Sequence, residues 1–139
     1  DEIVESPSNP CKYIIDLTGS VERRELVLNR LLGLRIDLLA PSHDSPSVSR
    51  DVKELINRAI DANDVWKKEA YEAVNRLGEA TTDEIASSVE DALNLDWSGD
   101  MRTVAAALTT TAYLRALAAK GQVRESDKKK GGRPLWIIH

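Results

Sequence analysis

The sequence predicts a mainly α-helical protein that closes on a strand–turn–strand segment. Three observations carry this expectation. Hydrophobic residues make up 42% of 139, yet there is no Phe and only three Trp and three Tyr. Leu, Ile, Val and Ala must therefore build the core, a composition that favours helices. Apolar residues recur at spacings of three and four in several separate stretches between Ser20 and Gly121, the period of a helix with one buried face. Finally, "QVRES" and "PLWIIH" are short strand candidates on either side of "DKKKGGR".

Taken in order, residues 1–12 read as a loose arm, and "KYIIDLTG" has a short apolar centre, Tyr13 to Leu17, that fits a strand or an ordered lead-in. Residues 20–40 read as a helix capped by Ser20, with Leu28, Leu31, Leu32, Leu38 and Leu39 on one stripe and Leu26, Val27, Leu34 and Ile36 off it. A helix apolar on so many sides requires more than one neighbour, and Gly33 is placed to bend or split it. "PSHDSPSVS" is a linker by its two prolines and four serines. Residues 50–60 form an amphipathic helix through Val52, Leu55, Ile56, Ala59 and Ile60, and "DAND" is expected to break the chain after it.

The next helix carries Trp66, Ala70, Ala73, Val74 and Leu77 on one face and ends at Gly78. Thr81 and Glu84 stand at capping-box spacing before a helix with Ile85, Ala86, Val89 and Leu93 inside. "NLDWSGD" is a turn that offers Ser98 or Asp100 as the next cap, and an alanine-rich helix then runs to Gly121. No internal repeat is visible.

Bulk properties exclude several classes. Mean hydropathy is −0.35, and no apolar run approaches the roughly 20 residues of a membrane helix. The acidic, proline-broken start "DEIVESPSNP" is not expected to be a signal peptide. A single cysteine, Cys11, forms no intramolecular disulfide and points to a reducing compartment, hence a cytoplasmic location. The net charge of −4 argues against coating nucleic acid by bulk electrostatics, so any such contact must be local.

The last seventy-odd residues thus read helix, helix, helix, strand, basic turn, strand. This order resembles the winged-helix variant of helix-turn-helix DNA-binding domains. The likeness covers about residues 65–139, half the chain, and is most specific in "YLRALAAKGQVRE" followed by "GGRPLWII". Winged-helix families often end the third helix with Leu-x-x-Leu-x-x-x-Gly-x-Val, matched by Leu114, Leu117, Gly121 and Val123. The resemblance implies a winged-helix domain over residues 64–139, with residues 1–63 as an arm and accessory or dimerising helices. It implies double-stranded DNA as partner, in a transcriptional regulator or a DNA-binding part of a replication or plasmid protein, associated with nucleoid or nucleus when bound.

Within the third helix, Val104, Leu108, Thr111, Leu114 and Ala118, with Leu117, are the expected buried stripe. Arg102, Ala106, Thr109, Tyr113, Ala116 and Lys120 fall on the other face, flanked by Thr103 and Thr110. Small side chains let a helix approach a groove floor, Thr can meet base edges or phosphates, and Arg can pair with guanine. The glycine turn is the expected wing. Residues 120–133 hold six cations, Lys120, Arg124, Lys128, Lys129, Lys130 and Arg133, against Glu125 and Asp127, a local +4 in a chain of −4. Such side chains position a protein on phosphates without choosing sequence. The candidate DNA-binding residues are therefore Arg102, Thr103, Thr109, Thr110, Tyr113, Lys120, Arg124, Lys128, Lys129, Lys130 and Arg133.

Residues 64–100 oppose this, with three cations against ten carboxylates. The rival expectation is a winged helix used as a protein-interaction module, its acidic first two helices docking a basic partner. Leu28, Leu31, Leu32 and Leu39 in residues 20–40 need a further cover, either the same helix of a second chain in a homodimer or the apolar segment "YIIDL" of the same chain. No enzyme, cofactor or metal is expected. There is no "GxxxxGK[ST]" or "GxGxxG", and His43 and His139 stand apart from any ligand cluster. "DKKKGG" has no helix after it to complete a phosphate cradle.

Overall fold

A computed structural model of the chain describes residues 2–3, 14–15, 20–39, 47–95 and 101–139, with side chains at 20–37, 52–95 and 106–139. Two minimal antiparallel pairs lie near the start: β1 (Glu2–Ile3) with β2 (Ile14–Ile15), and β3 (Leu38–Leu39) with β4 (Ser47–Val48). The remaining elements are helices α1 (Val21–Leu32), α2 (Ser49–Leu77), α3 (Thr82–Leu93) and α4 (Met101–Ala119), then the hairpin β5 (Val123–Lys130) and β6 (Arg133–Ile138). The described protein is mainly helical with a two-stranded antiparallel hairpin at its C-terminus.

Ser20 caps α1, accepting from the Arg23 amide at 3.3 Å. The helix stops at Gly33, so the expected helix over residues 20–40 is shorter, and Leu38 and Leu39 pair as a strand instead. Leu28 packs on Val52, Ile56 and Ala59 of α2, with Leu31, Leu32, Ile36 and Ile60 around them.

The larger departure is α2. The sequence suggested two helices broken at "DAND", yet 29 residues run as one helix about 43 Å long. Asp and Asn each disfavour a helix by up to about 0.7 kcal/mol. Ala62 and Asn63 are 3% and 0% exposed and Trp66 is fully buried. Burying one large apolar side chain contributes about 2–3 kcal/mol, which outweighs those propensities. With no Gly or Pro in the segment, the helix continues. The boundary expected between residues 63 and 64 therefore falls inside one helix, and α2 serves two apolar clusters, one shared with the middle of α1 and one shared with Val21 at the start of α1 and with all that follows.

That second cluster joins Val21 of α1, Trp66, Ala70, Ala73 and Val74 of α2, Ile85 and Val89 of α3, Tyr113, Leu114 and Leu117 of α4, and Val123 and Trp136 of the hairpin. Trp66, Ala70, Ala73, Val74, Ile85 and Val89 are residues the spacing selects, whereas Leu77, expected on the same face of α2, is 43% exposed. Helix termini are well specified. Thr81 and Glu84 form a reciprocal capping box at the start of α3. At its end Asn94 adopts φ 50, and the Leu95 amide bonds the Glu90 carbonyl at 3.0 Å. Helix α4 ends in the same manner at Gly121, φ 68, with the Gln122 amide on the Leu117 carbonyl at 3.0 Å. Ser98 and Asp100, the proposed caps of α4, lie outside the described residues, as do the side chain of Leu39 and the interior of the Ser/Pro linker.

Candidate nucleic-acid interface

The hairpin is anchored at its root and polar at its tip. Val123, Leu135 and Trp136 are 1%, 7% and 4% exposed. Backbone bonds in both directions join Ala80 to Trp136, at 3.2 and 2.8 Å, so the α2–α3 connection adds a one-residue bridge to the edge of β6. The Trp136 indole N–H donates to Thr82 Oγ1 at 3.1 Å. These contacts place the hairpin beside the N-terminus of α3.

At the tip, Lys130 pairs with Arg133 across a two-residue turn of Gly131 and Gly132, with φ 58 and 78. Two consecutive positive φ angles make the tight hairpin turn whose twist matches the strands, and glycine adopts them without a Cβ clash. The register then slips. Ser126 faces Leu135 and Lys129 faces Pro134, leaving Asp127 and Lys128 without a strand partner. Pro134, which has no N–H to give, sits beside this irregularity, and the bulge re-aims Lys128.

Three of the tip cations turn back onto the protein. Lys128 Nζ reaches Glu79 Oε1 and Oε2 at 2.9 and 3.1 Å. Lys130 pairs with Glu84, and Arg133 with Asp83. All three pairs remain well exposed. Glu84 is held down to about 2, first by the Lys130 hydrogen bond and then by the Thr81 amide and hydroxyl. Three of the cations singled out in the sequence and three of the ten carboxylates that counted against them are thus one set of ion pairs. Sequence separation of 46 to 50 residues concealed this; only the excess of carboxylates around α3 hinted at partners for so dense a positive run. Lys129, Arg124 and Lys120 are exposed and form no ion pair among the described residues.

Helix α4 corrects the expected reading face. Thr109, Thr110 and Tyr113 are 1%, 0% and 0% exposed. They belong to the core side, together with Ala106 and Ala116. The Tyr113 ring stacks on Trp66 with centroids 5.6 Å apart, and its hydroxyl donates to Asn63 Oδ1 at 2.7 Å. Leu108, expected inside, is exposed, and Arg115 and Ala119 lie on the same outward strip, bordered by the half-buried Thr111 and Ala112. Arg115 is an outward cation outside the expected set; it lies two helical turns, seven residues, beyond the outward-facing Leu108. The side chains of Arg102, Thr103 and Val104 lie outside the described ones.

The surface expected to pair two chains is also largely taken. Leu28 is buried against Val52, Ile56 and Ala59 of α2, in the stretch already expected to be helical, and Leu31 and Leu32 are half-buried beside it. Leu26, Val27 and Leu34 are the exposed leucine and valine side chains on and after α1. Lys67 of α2 ties to α1 through Glu25 and, within its own helix, pairs with Asp64 at 2.8 Å. Burial lowers the Lys67 pKa, but the bonds to Asp64 and Glu25 outweigh it and the pKa is raised.

No helix of the described residues is long and apolar enough to cross a membrane. Among the same residues no group of three His, Cys, Asp or Glu is arranged to hold a metal ion. Comparison with protein-family models and with curated protein sequences gives no match.

Proposed function

We propose that the chain is a winged-helix module that binds double-stranded DNA, with the β5–β6 hairpin on the phosphate backbone. One observation carries the reading: four cations, Lys128, Lys129, Lys130 and Arg133, surround a two-glycine turn on a hairpin docked edge-on beside α3 through Ala80 and Trp136. The chain order of helix, bridge, helix, helix and hairpin supports it. Lys120 and Arg124 extend the basic surface toward the root, and Lys129 is free for a phosphate. Sequence discrimination falls to the outward strip of α4, where Thr111 and Arg115 are the polar members, in place of Thr109, Thr110 and Tyr113. Arg102 and Thr103, in the first turn of the same helix, stay in the proposed set.

A protein-interaction module is the second reading, favoured by the pairing of Lys128, Lys130 and Arg133 with Glu79, Glu84 and Asp83. Anisotropy of a labelled random duplex at stepped salt concentrations separates the two. Duplex binding should weaken with salt, with a log–log slope of about −0.9 per phosphate contact. The K128A/K129A/K130A variant should bind more weakly and with a shallower slope. A parent chain with no salt-dependent affinity for duplex would exclude the DNA reading and leave the protein-interaction one.

A further inference from the structure

The hairpin tip presents a problem of occupancy. A phosphate backbone and the carboxylates at the start of α3 would both engage Lys128, Lys130 and Arg133. In the free protein the carboxylates hold all three: Glu79 has Lys128, Glu84 has Lys130 and Asp83 has Arg133. The three acids do not come from one run of charge. Glu79 follows the end of α2, whereas Asp83 and Glu84 are in the first turn of α3. They meet the hairpin one to one because the Ala80–Trp136 bridge fixes its edge beside that turn.

We propose that Glu79, Asp83 and Glu84 are an intramolecular competitor for DNA, a latch that occupies the hairpin's phosphate-binding cations until a duplex displaces it. The inference rests on the DNA reading above and adds its regulation. Anchoring and charge are separated along the hairpin, which is what a latch requires. The root is held by buried Val123, Leu135 and Trp136 and by backbone bonds. Releasing the three ion pairs therefore frees the tip without undocking the hairpin. The positive φ of Gly131 and Gly132 keeps the turn tight while side chains reorient. Lys129, on the same tip but unpaired among the described residues, provides the first foothold for a phosphate.

The strength of the latch is bounded. An exposed ion pair changes an equilibrium constant by up to about fivefold. Three pairs together limit inhibition to about a hundredfold, enough to suppress binding to arbitrary duplex and small enough to be overcome by a polyanion. Ion pairs weaken as salt screens them. The latched protein should thus lose less affinity with rising salt than an unlatched one.

The test compares the full chain with E79Q/D83N/E84Q on a fluorescein-labelled random duplex at several salt concentrations. Gln at position 84 retains the capping box, since either Glu or Gln can accept the Thr81 amide. A control variant, D61N/E72Q/D91N, removes the same charge from exposed carboxylates that form no ion pair among the described residues. We expect the latch variant to bind between about threefold and a hundredfold more tightly than the parent, with the gap closing at high salt, and the control to gain distinctly less. An equal gain in both variants would reduce the effect to net charge and overturn the latch. Equal affinity of latch variant and parent would overturn it too, while the DNA reading stood. If neither the parent nor the latch variant binds duplex at low salt, the DNA reading fails and the latch with it.

Discussion

Tyr113 of α4 donates its hydroxyl hydrogen bond to Asn63 of α2 across 2.7 Å, inside a core where both residues are fully buried. This contact joins the two longest helices, and it accounts for two departures from the sequence reading at once. Asn63 lies where the chain was expected to break, and Tyr113 lies on the face expected to touch DNA. Each is a polar residue that looks exposed in isolation and becomes a core residue when paired.

Tyr113→Phe should lower stability by about 1–3 kcal/mol, because it leaves a buried Asn63 carbonyl without its donor. Asn63→Leu in the same background should recover part of that loss, since the Asn63 amide nitrogen already has no partner among the described residues. Urea denaturation of parent, single and double variants measures the coupling. A Phe variant as stable as the parent would refute the contact. Tyr113→Ala also loses the stack on Trp66 and should cost about 3–5 kcal/mol; reduced DNA binding by that variant would report unfolding.

Continuity of α2 makes its own prediction. Ala62→Gly should destabilise the protein by at least about 1 kcal/mol, the cost of glycine in a helix interior, with a further loss from the buried methyl. Amide exchange at residues 61–66 should be as slow as in the flanking turns of α2. Rapid exchange confined to "DAND" would restore two helices and a break.

Arg115 is exposed and Thr109 is buried, so their substitution should separate function from stability. Arg115→Ala should change stability by less than about 0.5 kcal/mol and reduce duplex affinity, with the salt slope shallower by about 0.9 where a phosphate contact is lost. Thr109→Val should leave the affinity of folded protein for duplex unchanged. The reverse pattern would return the interface to the Thr109 side of the helix.

The depressed carboxyl of Glu84 predicts how the hairpin responds to acid. Its pKa falls from the ordinary 4.5 to about 2, so the contribution of its bonds to Lys130 and Thr81 is fully present above pH 4.5 and lost as pH falls through about 2. In a side-chain NMR titration the Glu84 carboxyl should titrate near the lower value, and Lys130→Ala should raise it. A Glu84 midpoint near 4.5 in the parent would show that the lysine and cap do not hold it in solution.

The helices were legible where a residue's own chemistry settles its environment. Trp66, Val74, Ile85 and Val89 are strongly apolar, and their spacing assigns one face without help from other elements. Thr81 with Glu84, and Gly121 after Leu117, mark helix ends through local backbone bonds, so short stretches of sequence suffice. The two-glycine turn likewise announces its hairpin. Helix α4 was not legible in phase because Ala and Thr are tolerated inside and outside. Its buried arc is chosen by Trp66 and Asn63 of α2, which are distant in sequence, and by how the hairpin that follows it folds back. The same limit applied at "DAND", where propensities of a few tenths of a kcal/mol each were outweighed by packing. The candidate interface divides in the same way. Sequence alone determined that positive charge would concentrate on a glycine turn, since composition and turn chemistry are local properties. Only the tertiary structure decided where those charges went: the Ala80–Trp136 bridge brings the turn against Glu79, Asp83 and Glu84, and an ion pair between distant residues depends on the position of both elements rather than on the sequence around either.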